Sequence, residues 1–131
     1  FADYRQTNGT RVDTLDGKQL PGVPPQQLRV GLRSGSLRGF TLDADQTWTS
    51  ALFADDLNTI RVPGWGTGVT NVRASWSGMR NGYRFEPFVG VLNAQNNAYI
   101  GAVTVNGAFG RVLEPSPLRN WYVGMDIGVA R

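Results

Sequence analysis

Four arginines give this sequence its main candidate for binding chemistry. Arg29, Arg33, Arg73 and Arg84 fall in three stretches that alternate apolar and polar residues, always at the polar parity. Side chains two apart share one side of a strand, so all four arginines belong on one face. Guanidinium forks on a common face can hold an anion through paired charged hydrogen bonds. The same parity also carries Asp43, Asp45, Glu86 and Asp126. These carboxylates supply the competing reading, in which the arginines only balance charge within a sheet. Glu86 and Asp126 stand on separate stretches as a conceivable acid/base pair, against which stands ion pairing to Arg84 or Arg73. Asp55-Asp56 with Asn58 offers oxygen ligands, but lacks the spacing of a calcium loop and reads as a solvated loop. Gly64-Trp-Gly-Thr-Gly68 lacks the lysine and following helix of a phosphate loop and reads as a turn. Leu20 to Pro25 could serve a partner as a polyproline ligand, or simply stiffen the approach to a strand. With no His and no Cys, the commonest general base, Ser-His triads, thiolate nucleophiles and His- or Cys-held metals are all removed. No catalytic residue, metal ligand or cofactor is expected, and the chain is not read as an enzyme.

The elements that would position these groups follow from the same alternation. Gln27 to Gly35, Phe40 to Phe53, Thr70 to Ser77, Tyr83 to Leu92 and Trp121 to Ala130 each keep a period of two. Their apolar parity collects Leu28, Val30, Leu32, Phe40, Leu42, Val72, Trp76, Phe85, Val89, Trp121, Val123 and Ile127, among others. The opposite parity holds the charges, with Gly31, Gly90, Gly124 and Gly128 between them. Asn8-Gly9, Asp16-Gly17, Leu20 to Pro25, Ser34 to Gly39, Asp55 to Gly68, Asn81-Gly82 and Asn106-Gly107 read as turns or loops. A further strand is expected within Phe1 to Val12. The fold class is therefore all-β: an antiparallel up-and-down meander of about six strands, part of a β-barrel or closing into one. If Arg33 faces Thr41 across the first tight link, Arg29 faces Asp45 and Arg33 lies diagonal to Asp43.

Composition sets the outer bounds. At 131 residues the chain reads as one segment, 1–131, and its 40% hydrophobic content argues against disorder. The 17 Gly and 7 Pro suit a protein rich in turns. No apolar run is long enough for a membrane-spanning helix. The net charge of +3 comes from scattered arginines without a clustered basic patch, so no nucleic-acid partner is expected. The first residue is Phe1, and the chain is expected to be a section or processed product of something longer.

Alternation alone leaves the inward face open. In a soluble barrel the apolar side is the core; in an outer-membrane barrel it meets lipid, while the charged, glycine-rich side lines a wet lumen. Trp76, Tyr83, Trp121 and Tyr122 fit an interfacial aromatic girdle or a packed interior equally well. About fifteen large apolar side chains, at roughly 1.5–3 kcal/mol each, oppose exposure of this face to water. A sheet with unpaired edges in hydrocarbon would be costly too, so the section must be completed in some way.

Several landmarks occur in a fixed order: Phe1-Ala-Asp-Tyr4, Asp16 to Pro24, Phe53 to Thr59, Pro87 to Asn93, Tyr99-Ile-Gly, Val105-Asn106, Gly110-Arg111, Glu114 to Pro117 and Arg119 to Gly124. In order and spacing this set resembles the last third of TonB-dependent outer-membrane receptors, across essentially the whole chain. The resemblance implies a barrel of about twenty-two strands around a plug, taking up iron-siderophore complexes or similar solutes with energy from TonB. It implies an outer-membrane location, a lipid bilayer against the apolar face, and an anionic iron chelate as the ligand of Arg29, Arg33, Arg73 and Arg84. A section without plug or TonB box is expected to have no transport activity on its own. The alternative is a soluble autonomous barrel or oligomer, self-associating with its apolar face as core or interface and binding a small ligand. Two features depart from the family: the last residue is Arg131 rather than an aromatic, and Pro87 falls inside a strand, where it implies an edge or a bulge.

Overall fold

A computed structural model describes residues 5–107 and 113–129. In chain order the strands are β1 (Arg5–Asn8), β2 (Arg11–Thr14), β3 (Gln27–Arg33), β4 (Phe40–Thr49), β5 (Leu52–Phe53), β6 (Arg61–Val62), β7 (Val69–Trp76), β8 (Gly78–Arg80), β9 (Tyr83–Leu92), β10 (Ile100–Val103), β11 (Leu113–Pro115) and β12 (Asn120–Val129). There is no helix among the described residues. The landmarks Phe1 to Tyr4, Gly110-Arg111 and Arg131 lie outside those residues. Contacts divide the rest into two compact units. One takes in 28–48, 67–98 and 117–129; the other takes in 5–27, 49–66, 99–107 and 113–116.

The first unit is the expected meander, an antiparallel sheet in the order β12-β9-β7-β4-β3 with β8 as a sixth strand on β9. Its tight turns sit where the sequence places Gly and Asn. Asn81 (φ 53°) and Gly82 (φ 78°) both take the left-handed conformation of a two-residue hairpin turn, and Arg80 pairs Tyr83 across it. Arg38 (φ 51°) and Gly39 (φ 88°) do the same between Leu37 and Phe40. The other ends of the strands lead into the long connections 50–68 and 93–119.

Three expectations change. The early strand does not join the sheet: β1 turns back at Asn8-Gly9 and pairs β2 in a separate ribbon. The stretch from Phe40 to Phe53 breaks after Thr49, because the backbone is captured there by Gln26 and Trp65 through Ser50 N–H to Gln26 O (3.0 Å) and Trp65 N–H to Thr49 O (3.0 Å). Pro87 is neither on an edge nor in a bulge. It sits in the interior strand β9 opposite Met125, in a gap between Ser75↔Phe88 and Gly78↔Phe85, and the register is the same on both sides of the gap. The missing N–H is accommodated by splitting the neighbouring strand into β7 and β8.

The apolar parity is left uncovered by the chain. Leu28, Val30, Leu32, Phe40 and Leu42 are exposed on β3 and β4, and Trp121, Val123, Met125, Ile127 and Val129 on β12, with Val123 at 79%. β3 and β12 are the two ends of the strand order, so among the described residues the sheet does not close on itself into a barrel with this face as its core. Among the described residues, the buried hydrophobic side chains are Val69 and Val91, at the long-connection ends of β7 and β9, and Leu15, Ala54 and Val62 of the second unit. That unit holds the ribbons β1–β2, β5–β6 and β10–β11. Ala54 and Val62 form its small core, packed by Leu52, Ile100 and Val103, and Leu15 is fully buried.

Candidate functional site

The charged face of the sheet is built row by row from the register. Asp43 on β4 faces Arg73 on β7, which faces Gly90 on β9, which faces Tyr122 on β12. Arg33 on β3 hydrogen-bonds Asp43 through Nε, and Arg29 reaches Asp45 at 3.4 Å. Asp45 also accepts from Asn71 Nδ2 at 3.2 Å. Arg73 Nη2 lies 3.6 Å from Asp126 on β12, and its guanidinium carbon lies over the Phe88 ring, 4.2 Å from the centroid. That stacked position leaves Arg73 Nε without a hydrogen-bond partner. Arg33, Asp43, Arg73 and Asp126 thus run as alternating charges across the sheet, and the cross-strand attraction holds the long side chains down against it.

Between β9 and β12 the charges give way to aromatic rings laid over glycine. Tyr122 lies over Gly90 and Phe88 over Gly124, so closely that a Cβ at either glycine would collide with the ring. The two rings meet at 6.2 Å and 60°. Glycine is required here by the close approach of its neighbour's side chain. At the end of the sheet nearest the long connections, a polar clamp takes over. Buried Asn93 donates through Nδ2 to Asn97 O (2.8 Å) and accepts from Asn97 N–H (2.9 Å), while Asn97 Nδ2 donates to Gly68 O (2.6 Å). Gln95 brackets Thr70 with two further bonds.

Of the four arginines read from the sequence, three lie in separate ion pairs on this face. Arg29, Arg33 and Arg73 each meet a carboxylate, whereas Arg84 does not among the described residues. Arg84 lies on β9 six residues before Gly90, the partner of Arg73, which is roughly 20 Å along the strand. Glu86 and Asp126 face each other directly across β9 and β12, but it is Asp126 that pairs with Arg73. The aromatic rings over glycine and the asparagine clamp were not read from the sequence. The only available signal was Gly at the wet parity opposite an aromatic, and it appears only once the strands are in register.

In the second unit, Asp55 and Asp56 are engaged in holding their own loop. Asp55 accepts from Ile60 N–H (2.7 Å), Thr59 N–H (2.9 Å) and the Thr59 hydroxyl (2.7 Å), and Asp56 accepts from Asn106 Nδ2 (2.8 Å). Partial desolvation pushes the Asp55 carboxyl up, but the Ile60 and Thr59 donors outweigh it and hold the group below its ordinary value of 3.8. Asn58 Oδ1 is likewise occupied, by Gln19 N–H at 2.7 Å. Nearby, Trp65 stacks on Tyr99 at 4.7 Å and donates from Nε1 to Ile100 O at 3.0 Å. The glycine-rich loop that contains Trp65 is therefore a packed turn.

A meander with one wet, charged face and one exposed apolar face, linked tightly at one end and at length at the other, has the architecture of a section of an up-and-down β-barrel wall. No protein-family profile matches the sequence. Among solved structures, the chain is similar to the ferric preacinetobactin receptor BauA from Acinetobacter baumannii, at 22% identity and a TM-score of 0.67, over 86% of this chain and 16% of that one. It is also similar to the siderophore receptor PiuA from Acinetobacter baumannii, at 15% identity and a TM-score of 0.73, over 94% of this chain and 16% of that one. At these identities the likeness establishes the fold, which is that of a section of a receptor β-barrel, as the sequence resemblance implied. The chain spans about a sixth of the length of these receptors.

Proposed function

We propose that this chain is a wall section of an outer-membrane barrel of the TonB-dependent receptor type, serving uptake of an iron-siderophore complex or similar solute and having no transport or enzymatic activity of its own. The observation that carries this reading is the sorting of faces. Thirteen residues of the apolar parity, from Leu28 to Val129, are exposed large hydrophobics, while the opposite side holds the ion pairs and glycines. Such a surface is unfavourable in water and suited to hydrocarbon. The two solved receptors support the solute class, because one is named a siderophore receptor and the other a ferric preacinetobactin receptor. On the wet face, Arg29, Arg33, Arg73 and Arg84 are the proposed contacts for an anionic iron chelate. Arg84 offers its guanidinium without displacing a carboxylate, whereas the other three must exchange one partner for another.

Purification in plain buffer against detergent tests the lipid-facing assignment. Detergent dependence is the expected result; a monodisperse monomer in plain buffer would end the assignment. Titration of the detergent-held chain with ferric citrate, as an anionic iron chelate, tests the arginines. Affinity is expected to fall severalfold in Arg84→Gln and in the Arg29→Gln/Arg33→Gln double variant. Unchanged affinity in both would remove the arginines from the site.

A further inference from the structure

The tight-turn end of the sheet carries a second group of arginines that the wet face does not use. Six non-glycine residues among those described have positive φ: Asn58, Asn81, Asn93, Asn96, Asn106 and Arg38. Asparagine and glycine tolerate this conformation; arginine, with its long side chain, is an uncommon choice. Arg38 occupies the first position of a two-residue hairpin turn, where Asn would relieve the strain. A strained residue retained at a specific place is a reason to ask what its side chain does.

Its surroundings suggest an answer. The Arg38 carbonyl accepts from Trp76 Nε1–H at 3.3 Å, and the Trp76 ring packs over Gly39 and Gly78 and against Phe40 at 6.5 Å. Two residues beyond Gly78, at the same apolar parity, Arg80 stands opposite Tyr83. On that face Phe40, Ala74, Trp76, Pro87 and Val89 line an apolar cleft of about 290 Å³, opened where Pro87 interrupts the ladder. Arg38 and Arg80 are both exposed, and neither meets a carboxylate among the described residues. The two tight turns at this end, 34–39 and 81–82, contain no Asp or Glu. An apolar cleft lined by aromatic rings, with Arg38 in the turn that leads into Phe40 and Arg80 two residues beyond Gly78, matches a molecule with a hydrocarbon chain and a negatively charged head.

We propose that Arg38 and Arg80 bind the phosphate of an anionic phospholipid at the tight-turn end of the sheet, with an acyl chain in the cleft beside Trp76. This rests on the assignment of the apolar face to lipid. Arg84, at the same end but at the opposite parity, takes no part.

Flotation of the full chain with phosphatidylcholine vesicles, and with vesicles that also contain phosphatidylglycerol, tests the proposal. The chain should partition more strongly into the anionic vesicles, by about fivefold per arginine. Arg38→Asn/Arg80→Gln should abolish that preference while partitioning into phosphatidylcholine unchanged, since Asn suits the turn. Arg84→Gln should keep it. Equal partitioning of the unaltered chain into both vesicles, a preference surviving in the double variant, or an equal loss in Arg84→Gln would each overturn the phospholipid site. Failure to enter either vesicle would instead overturn the lipid-facing assignment, and the site with it.

Discussion

The two units of this chain are held together by different means. The sheet is a ladder of backbone bonds: ten paired positions join β9 to β12 and eight join β4 to β7. Its side chains contribute little burial of their own, and among the described residues most of the large apolar ones on β3 and β12 are exposed. The second unit has short ladders, such as the two-residue pairing of β5 with β6, and compensates with a small closed core and with side chains bound to backbone. A barrel wall can therefore be thermodynamically incomplete alone, while its connecting segments are locally self-sufficient.

The contrast can be broken most forcefully at Leu15, which is fully buried in the second unit. Leu15→Ala is expected to destabilise the chain by about 2–5 kcal/mol in detergent-based chemical unfolding. A negligible change would mean that this unit has no effective core. The next largest effect is expected at Gly90, where a Cβ meets the Tyr122 ring. Gly90→Val should cost about 1–3 kcal/mol and change the near-ultraviolet circular dichroism of the Phe88 and Tyr122 pair; an unchanged spectrum would show that the ring is free to move.

Asp55 sharpens the comparison through pH. Because its carboxyl is held below the ordinary 3.8, the stabilisation is present above that value and is lost as pH falls through the lower folded value. Asp55→Ala should cost about 1 kcal/mol at neutral pH. Its deficit relative to the unaltered chain should disappear in acid below the folded value, and a pH-independent deficit would contradict the hydrogen-bonded role. The smallest effect is expected at Val123, 79% exposed on β12. Val123→Ala should change stability by less than about 0.5 kcal/mol, and a core-sized loss would show that protein packs against this face.

The sheet was legible because parity is a strong local signal. All five long stretches form strands, and the expected partners Arg29 with Asp45 and Arg33 with Asp43 are found together. Ribbons of two to four residues such as β5, β6 and β10 are too short to show a period. The rings over Gly90 and Gly124 could not be read either, because each glycine and its covering aromatic are more than thirty residues apart in sequence and are related only by strand register. The asparagine clamp at Asn93 to Asn97 looks like any polar loop until the buried Asn93 side-chain amide finds Asn97 and Pro117 and its backbone N–H finds Asn71 Oδ1. Arg84 shares the face of the other arginines but not their level along the strands, and parity carries no information about level.

Pro87 has an effect beyond its own missing donor. By suspending the rungs between Ser75↔Phe88 and Gly78↔Phe85, it converts one long pairing into two lattices in the same phase, joined at a pivot. The ladder from β9 to β12 runs unbroken past Pro87, so any softening is confined to the β7–β8 side of the strand. Amide isotope exchange would locate the pivot as a soft spot in the middle of an otherwise protected strand pair.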